Sequence, residues 1–114
     1  MQRIMCKSKV CGLRVTHKSI EYEGSIKMPP EVLETADILP GEVVLVVNVD
    51  TGVRFNTYVI KGKPGECVLL GGAARLGEAG DKLLVISYGL MDTEDAKMHN
   101  PIIIAVNDKN QIKK

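Results

Sequence analysis

The chain has 114 residues, of which 45% are hydrophobic and 25% charged, values typical of one soluble globular domain with its own core. Its 15 basic and 14 acidic residues give a formal net charge of +1, which provides no electrostatic footprint for nucleic acid or an anionic membrane. A single Phe, three Tyr and no Trp also argue against an aromatic platform that stacks single-stranded bases.

The cysteines and histidines point to a reducing compartment and away from a metal site. Cys6, Cys11 and Cys67 form an odd set without CxxC spacing, which favours free, small apolar thiols. His17 and His99 lie far apart in the sequence, and the cysteines supply no ligand pair. The N-terminal residues lack the apolar run of a signal peptide, and no window approaches the roughly twenty apolar residues of a membrane span. We therefore expect a soluble, cytoplasmic protein.

The elements predicted for the first part of the chain are strands over 3–10 and 13–16, an alternating strand over 17–28 and a short helix over 31–38. Cys11-Gly12 separates the first two strands, and Gly24 interrupts the third, as a glycine does at a bulge or close backbone approach. Pro30 suits the first turn of a helix. Pro40-Gly41 ends the apolar stripe of this predicted helix.

The elements predicted for the rest of the chain are strands over 42–49, 53–61, 67–70, 82–90 and 102–106, with a short helix, capped by Asp92-Thr93, through Met98. Asp50-Thr51-Gly52 is typical of a hairpin loop. Strand alternation puts Arg54 and Tyr58 on one face and Thr57 on the other. Residues 107–114 are polar and are expected to fray. About seven short strands with Gly/Pro turns favour an all-β fold with two short helices, built as a small closed barrel.

Two small-residue stretches allow both a structural and a chemical interpretation. The pair Gly24-Ser25 is most often a turn or bulge, but a serine hydroxyl beside an unshielded carbonyl can also attack the residue before it. The run Gly71-Gly72-Ala73-Ala74 is either a tight connection between two backbones or a loop whose amide groups face an anion. The dipeptide and the loop alone leave these alternatives open.

Three blocks together carry a family resemblance. They are Tyr22-Glu23-Gly24-Ser25, then Asn48-Val49-x-x-Gly52-x-Arg54-Phe55-x-Thr57-Tyr58, then Gly72-Ala73-Ala74. In this order and spacing, from Met5 to about Val106, the chain resembles the pyruvoyl-dependent aspartate α-decarboxylases. The resemblance implies a double-psi β-barrel and a homotetramer with active sites between subunits. It also implies conversion of L-aspartate to β-alanine and CO2, a step towards pantothenate and coenzyme A.

The resemblance further implies that the single domain, 1–114, is made as a proenzyme. It cuts itself between Gly24 and Ser25 into chains 1–24 and 25–114. Ser25 then becomes a covalent pyruvoyl group that forms a Schiff base with the substrate, so neither a metal nor pyridoxal phosphate is expected. The Ser25 hydroxyl attacks the Gly24 carbonyl in an N-to-O acyl shift, and Thr57 matches the position that donates to the resulting oxyanion.

The remaining site residues also follow from the resemblance. Tyr58 matches the proton donor, while Arg54 and Lys9 match basic positions that bind substrate carboxylates. Further substrate contacts come from Thr57 and the loop Gly72-Ala73-Ala74. Without the family match, Arg54 is a solvated or ion-paired side chain, Tyr58 a packing residue and Lys9 a surface lysine.

The sequence departs from the family pattern at several places. Gly71 stands where an Asn is expected, Cys11 where a His is frequent, and the segment between Ile60 and Gly72 is one residue shorter. Two other functions therefore stay open: a non-catalytic β-barrel that binds a ligand or partner, and a related decarboxylase of a different amino acid. A regulatory subunit that has lost self-processing is suggested by Gly71 alone.

Overall fold

A computed structural model describes residues 1–21 and 23–113, so Tyr22, the first residue of the Gly24-Ser25 motif block, and Lys114 lie outside the described residues. The strands are β1 (Gln2–Arg14), β2 (His17–Ser19), β3 (Ser25–Met28), β4 (Val43–Asn48), β5 (Arg54–Lys61), β6 (Val68–Leu70), β7 (Lys82–Asp92) and β8 (Ile102–Ala105). The helices are α1 (Pro30–Ala36), a 3₁₀ helix (Gly71–Leu76) and α2 (Thr93–Met98). The expected all-β class with two short α-helices is confirmed.

The strands form an eight-stranded sheet in the order β2-β6-β3-β5-β4-β7-β1-β8. The pairs β1–β8, β2–β6 and β3–β5 are parallel, and the others are antiparallel. Six strand spacings separate β6 from β8, about 29 Å in a flat sheet. Asn110, which follows β8, nevertheless donates to the carbonyl oxygen of Gly65, which precedes β6. The sheet therefore curls around one core, although the described residues form no ladder between β2 and β8.

The hairpin of β4 and β5 follows the sequence pattern closely. Gly52 in the connection has a φ of 81°, a conformation that glycine adopts at no steric cost. Strand alternation buries Val44 and Val46 in the core. On β5 it leaves Arg54 and Tyr58 exposed and Thr57 half-buried on the opposite face, as predicted.

The first strand differs from the prediction of two separate pieces. β1 is continuous, and its pairing with β7 shifts register between Cys11 and Leu13. Gly12 has a φ of 93° there, so the extra residue is absorbed in a bulge and the ladder continues. A Cβ on Gly12 would lie 3.0 Å from the carbonyl oxygen of Val106, which indicates a close backbone approach.

The helix ends also differ in detail. α1 begins at Pro30, as expected, but ends at Ala36 because Asp37 adopts the left-handed conformation with a φ of 57°. α2 starts after Asp92, whose side chain makes no capping hydrogen bond. The Thr93 hydroxyl instead donates to the carbonyl oxygen of Met1 and accepts from Arg3 Nε.

The expectation of a frayed C-terminal tail is wrong for residues 107–113. Asn110 is 2% exposed, and its side chain accepts from the backbone N–H of Arg14 and donates to the carbonyl oxygens of Arg14 and Gly65. Val106 and Ile112 form an antiparallel bridge around this turn. A lone Asn in a polar stretch carries no periodic signal, so the sequence pattern missed this attachment.

The core also holds one of the three free cysteines. Cys67 is fully buried, and this burial raises the pKa of its thiol to about 12. It behaves as the small apolar side chain that the cysteine count suggested. Cys6 and Cys11 are half-buried.

Candidate functional site

The candidate site lies where two neighbouring strands differ in length. β3 pairs only with the last three residues of β5, Val59–Lys61, so residues 54–58 of β5 have no strand beside them on that side. On its other side, β3 starts with Ser25 opposite Leu70 of β6, after which the chain turns into the 3₁₀ helix. A gap therefore opens in front of Ser25, between β5 and the 3₁₀ helix.

This gap is a cleft of about 590 Å³. Its lining residues are Gly24, Val43, Phe55, Asn56, Thr57, Tyr58, Gly72, Ala73 and Leu76. The structure thus brings together residues from all three sequence blocks that carried the family resemblance. Among the predicted site positions, Gly24, Thr57, Tyr58, Gly72 and Ala73 share this cleft.

Ser25 lies directly behind the cleft. It is the first residue of β3 and is 0% exposed. Its hydroxyl donates to the carbonyl oxygen of Glu23 at 3.4 Å, so the side chain folds back along the 24–25 peptide. The φ of Gly24 lies outside the left-handed region, and a Cβ there would meet Gly72 N at 3.9 Å. Gly24 therefore leaves its carbonyl group unshielded, although its backbone conformation is one that residues other than glycine can also adopt.

Thr57 and Tyr58 line the same cleft as Gly24. The β3–β5 ladder ends at the pair Ile26 and Val59, so Thr57 and Tyr58 lie just beyond the paired part of β5, at the gap. Asn56 is the one cleft residue of β5 whose side chain is hydrogen-bonded to another described residue, which is Tyr88. The hydroxyls of Thr57 and Tyr58 are consequently available to a ligand or to the backbone in front of Ser25.

The other predicted substrate-binding residues lie elsewhere in the chain. Ala74 is buried behind Ala73 at 1% exposure. Arg54 is exposed on β5 opposite Val47 and does not line the cleft. Lys9 is on β1, three strand spacings or about 14 Å from β5.

Lys9 lines a separate cavity of about 510 Å³ on the outer face of the sheet. Its other lining residues include Cys11, Lys82, Asp108 and Lys113. Cys11, one of the departures from the family pattern, therefore lies beside Lys9 and away from the Gly24 cleft. Within one chain, Lys9 is therefore separated from the site residues that line the Gly24 cleft.

Asn48, an element of the second sequence block, supports the wall of the cleft. It is 0% exposed, and its Nδ2 group donates to the carbonyl oxygen of Leu76, at the end of the 3₁₀ helix, and to Asp81 Oδ2. Its Oδ1 accepts from the backbone N–H groups of Asp50 and Thr51. These contacts fix the hairpin turn against the segment that follows the 3₁₀ helix.

Asp81 completes this arrangement as an ionised carboxylate. The hydrogen bond from Asn48 is the largest cause that lowers the pKa of Asp81 from 3.8, followed by the hydrogen bond from the backbone N–H of Glu78 and the charge of Lys18, while desolvation opposes the shift. The charged form is thus favoured by the fold. Asn48 and Asp81 have a positioning role that the sequence block alone did not reveal.

Sequence reasoning missed four cleft residues: Val43, Phe55, Asn56 and Leu76. For Asn56 a signal was present, because alternation puts it on the face of Arg54 and Tyr58. Gly71, where an Asn was expected, is buried with a φ of 63°. Asn is the side chain that tolerates this conformation best after glycine.

The described residues contain neither a membrane-spanning helix nor a cluster of metal ligands. No helix in residues 1–21 and 23–113 is long and apolar enough to cross a membrane. Over the same residues, no three His, Cys, Asp or Glu side chains gather as metal ligands do.

Comparison with known proteins agrees with the three sequence blocks. The family model described as aspartate decarboxylase matches residues 1–113. The chain is 44% identical over 113 residues to an aspartate 1-decarboxylase of Thermoanaerobacter pseudethanolicus, covering 97% of each chain. It is 43% identical over 114 residues to one of Heliobacterium modesticaldum, covering 98% of this chain and 86% of the relative. With one of Listeria monocytogenes it shares 41% over 114 residues, or 98% and 90% of the two chains.

Proposed function

Because the chain belongs to the aspartate decarboxylase family, we propose that it is a lyase that converts L-aspartate to β-alanine and CO2. The resemblance stated from the three sequence blocks is confirmed, and the family agrees with a double-psi β-barrel. The product makes the enzyme a source of β-alanine for pantothenate biosynthesis. The observation that carries the proposal is the cleft, in which Gly24, Thr57, Tyr58 and Gly72 meet in front of the buried Ser25.

The first part of the proposal is self-cleavage between Gly24 and Ser25. Ser25 Oγ attacks the Gly24 carbonyl carbon, the C–N bond breaks, and an ester forms while the nitrogen takes the proton. Elimination then releases the Gly24 carboxylate and leaves a dehydroalanine at residue 25. Addition of water and loss of ammonia give a ketone there. The folded-back hydroxyl of Ser25 and the open side of Gly24 support this route.

Thr57 is proposed as the donor to the oxyanion of this step. Its place in the cleft that Gly24 also lines supports this role. Its hydroxyl donates a hydrogen bond to the carbonyl oxygen as negative charge develops there, and such donors are more effective the more completely water is excluded. Thr57 is half-buried, so its hydroxyl is partly shielded from water.

The residues around Ser25 fit the pyruvoyl group that the family uses. Cleavage after Gly24 would put the new chain end at the floor of the cleft, between Thr57 and Gly72. When present, the group supplies an electron-withdrawing ketone that takes up the electrons left by loss of CO2. The chain then has to bind the substrate carboxylates, keep the α-carbon near a proton donor and exclude water.

Tyr58 and the 3₁₀ helix supply these functions from the same chain. The Tyr58 hydroxyl returns a proton to the α-carbon, a role that its place in the cleft beside Gly24 supports. Backbone N–H groups at Gly72 and Ala73 contact the substrate from the opposite wall. Ala74, buried behind them, holds this wall in place.

Arg54 and Lys9 are proposed to reach the substrate across a subunit contact. Neither lines the Gly24 cleft of its own chain, although a guanidinium and an ammonium suit the two carboxylates of aspartate. A homotetramer with its active sites between subunits would bring these side chains to the cleft of a neighbour. The three free cysteines are consistent with assembly in the cytoplasm.

Denaturing mass spectrometry of the purified chain, paired with an assay of CO2 release, tests the proposal. We expect two products, residues 1–24 and 25–114, the larger with a ketone in place of its N-terminal amine. L-Aspartate labelled at the α-carboxyl should release labelled CO2. Ser25→Ala is the matched control and should remain intact and inactive. Full activity of an uncut chain would refute the cleavage step, and cleaved protein without CO2 release would refute the substrate.

A further inference from the structure

Asn56 occupies a position that the family resemblance did not use. It lies on β5 between the half-buried Phe55 and Thr57 and faces outwards with Tyr58. It lines the Gly24 cleft and also the neighbouring groove, which is formed mainly by Ile4, Val43, Tyr88, Gly89 and Leu90. The Asn56 side chain therefore forms part of the boundary between the two.

One hydrogen bond fixes the orientation of this side chain. The Tyr88 hydroxyl donates to Asn56 Oδ1 at 3.0 Å. Tyr88 is on β7 and reaches diagonally across β4, where Leu45 is the partner of both Asn56 and Ile86. The bond links strands that are not neighbours in the sheet, so it restricts the rotation of the Asn56 amide in a way that backbone pairing does not.

The remaining hydrogen-bonding capacity of Asn56 is its amide nitrogen. Oδ1 accepts from Tyr88, which leaves Nδ2 as the remaining polar atom of a side chain that also lines the cleft. Within residues 1–21 and 23–113, Nδ2 has no hydrogen-bond partner, and the bond to Tyr88 uses only Oδ1. Two N–H donors without charge are thus presented beside Tyr58.

The spacing along β5 matches a dicarboxylate substrate. Asn56 and Tyr58 are two residues apart on one face, or about 7 Å. This is the spacing of their Cα atoms, close enough for the two side chains to contact the α-carbon and the far carboxylate of one four-carbon amino dicarboxylate. With Tyr58 at the α-carbon, Asn56 is placed at the carboxylate that remains after CO2 has left.

We propose that Asn56 is a further substrate-binding residue, which donates to the retained carboxylate, and that Tyr88 is a positioning residue that orients its amide. This inference rests on the proposed function insofar as the cleft takes an amino dicarboxylate. It differs from that function in needing no cleavage and no reaction, because a dicarboxylate without an amine should also bind.

Titration calorimetry with succinate on the full-length protein tests the inference directly. A hydrogen bond from an amide to a charged carboxylate contributes roughly a tenfold to 100-fold change in affinity, so Asn56→Ala should raise the Kd for succinate by about that factor. Asn56→Asp should raise it further, because a second carboxylate repels the ligand. The matched control is Asn100→Ala, at an exposed position outside the lining of both cavities, and its Kd should equal that of the wild type.

Tyr88→Phe removes the hydrogen bond that orients the Asn56 amide and keeps the aromatic ring in place, so it separates the positioning role of Tyr88 from its packing. We expect about a twofold to threefold rise in Kd without a change in Tm, and the double variant with Asn56→Ala should bind no more weakly than Asn56→Ala alone. In the cleaved enzyme, the KM for aspartate should rise in parallel while kcat stays within about twofold.

Three results would overturn the inference: equal succinate Kd values for the wild type and Asn56→Ala, no succinate binding by the wild type, or a changed oligomer mass that accounts for the weaker binding. Its failure is distinguishable from that of the proposed function. An uncut or inactive wild type that still loses succinate affinity on Asn56→Ala would refute the activity and leave this inference supported.

Discussion

The cleft in front of Ser25 and the polar cluster around Asn48 use similar side chains in opposite ways. The cluster, formed by Asn48, Asp81 and the turn at Asp50-Thr51, engages both ends of a fully buried amide with four partners. In the cleft, the Ser25 hydroxyl has one long contact of 3.4 Å, and the Tyr58 side chain is 36% exposed. Both regions include residues of the sequence block 48–58.

The difference follows from the cost of an unpaired polar group. A buried amide must be fully hydrogen-bonded, because each unsatisfied donor or acceptor costs about 1–3 kcal/mol. A group that is to bind a ligand must keep its hydrogen-bonding capacity, and it can do so only beside a cleft. The cluster therefore stabilises the fold, while the cleft retains groups for chemistry. Substitutions in the two regions should separate into loss of reaction and loss of stability.

Thr57→Ala is the variant with the largest expected effect. Removal of an oxyanion donor typically slows a reaction by about 100- to 1000-fold, so cleavage between Gly24 and Ser25 should slow by that factor. The free energy of unfolding should change by less than about 1 kcal/mol, because the side chain is only half-buried. A time course by mass spectrometry and urea unfolding measure the two quantities. Cleavage at the wild-type rate would contradict the assignment of Thr57.

Asn48→Ala should give the reverse pattern. It leaves the Leu76 carbonyl, Asp81 and the two turn N–H groups without their partner, which should destabilise the chain by about 2–3 kcal/mol and lower Tm by roughly 10 °C. Differential scanning calorimetry checks this, with the exposed Asn100→Ala as control, expected within about 0.5 kcal/mol. An unchanged Tm would remove the distinction between the two regions.

The pH dependence of the free energy of unfolding tests the contribution of Asp81 to the cluster around Asn48. The fold lowers the pKa of Asp81 from 3.8, chiefly through Asn48. Asp81 therefore contributes stability that is complete above its unfolded pKa and is lost as the pH falls through the lower folded value. Urea unfolding should show the wild type more stable than Asp81→Asn at pH 6 and the gap closing below pH 3.8. A gap that is constant with pH would mean that the Asp81 charge has no role.

The smallest effects are expected in the 3₁₀ helix that walls the cleft. Gly71 has a φ of 63°, so Gly71→Ala should cost about 1–2 kcal/mol of folding free energy. A Cβ on Gly72 meets nothing within 4 Å, and Gly72→Ala should stay within about 0.5 kcal/mol. Chemical denaturation of the two variants side by side measures the difference. Equal costs would show that backbone conformation does not distinguish the two glycines.

Much of the local structure was readable in the sequence. The β-branched run of β4, the Gly52 turn and the alternation of β5 each rest on neighbouring residues. The continuous β1 and the attached tail were not readable, because the bulge at Gly12 depends on β7 and the role of Asn110 on Arg14 and Gly65. The same limit applies to Asn56, whose orientation depends on Tyr88.

By itself, the sequence determined the all-β class, the family and the residue types of the proposed chemistry, because these depend on local periodicity and on short blocks with fixed spacing. Only the tertiary structure decided that Gly24, Thr57, Tyr58 and Gly72 share a cleft while Lys9 and Arg54 do not line it. The reason is the unequal length of β3 and β5, a property of strand pairing between distant segments. No pattern within either strand contains that information.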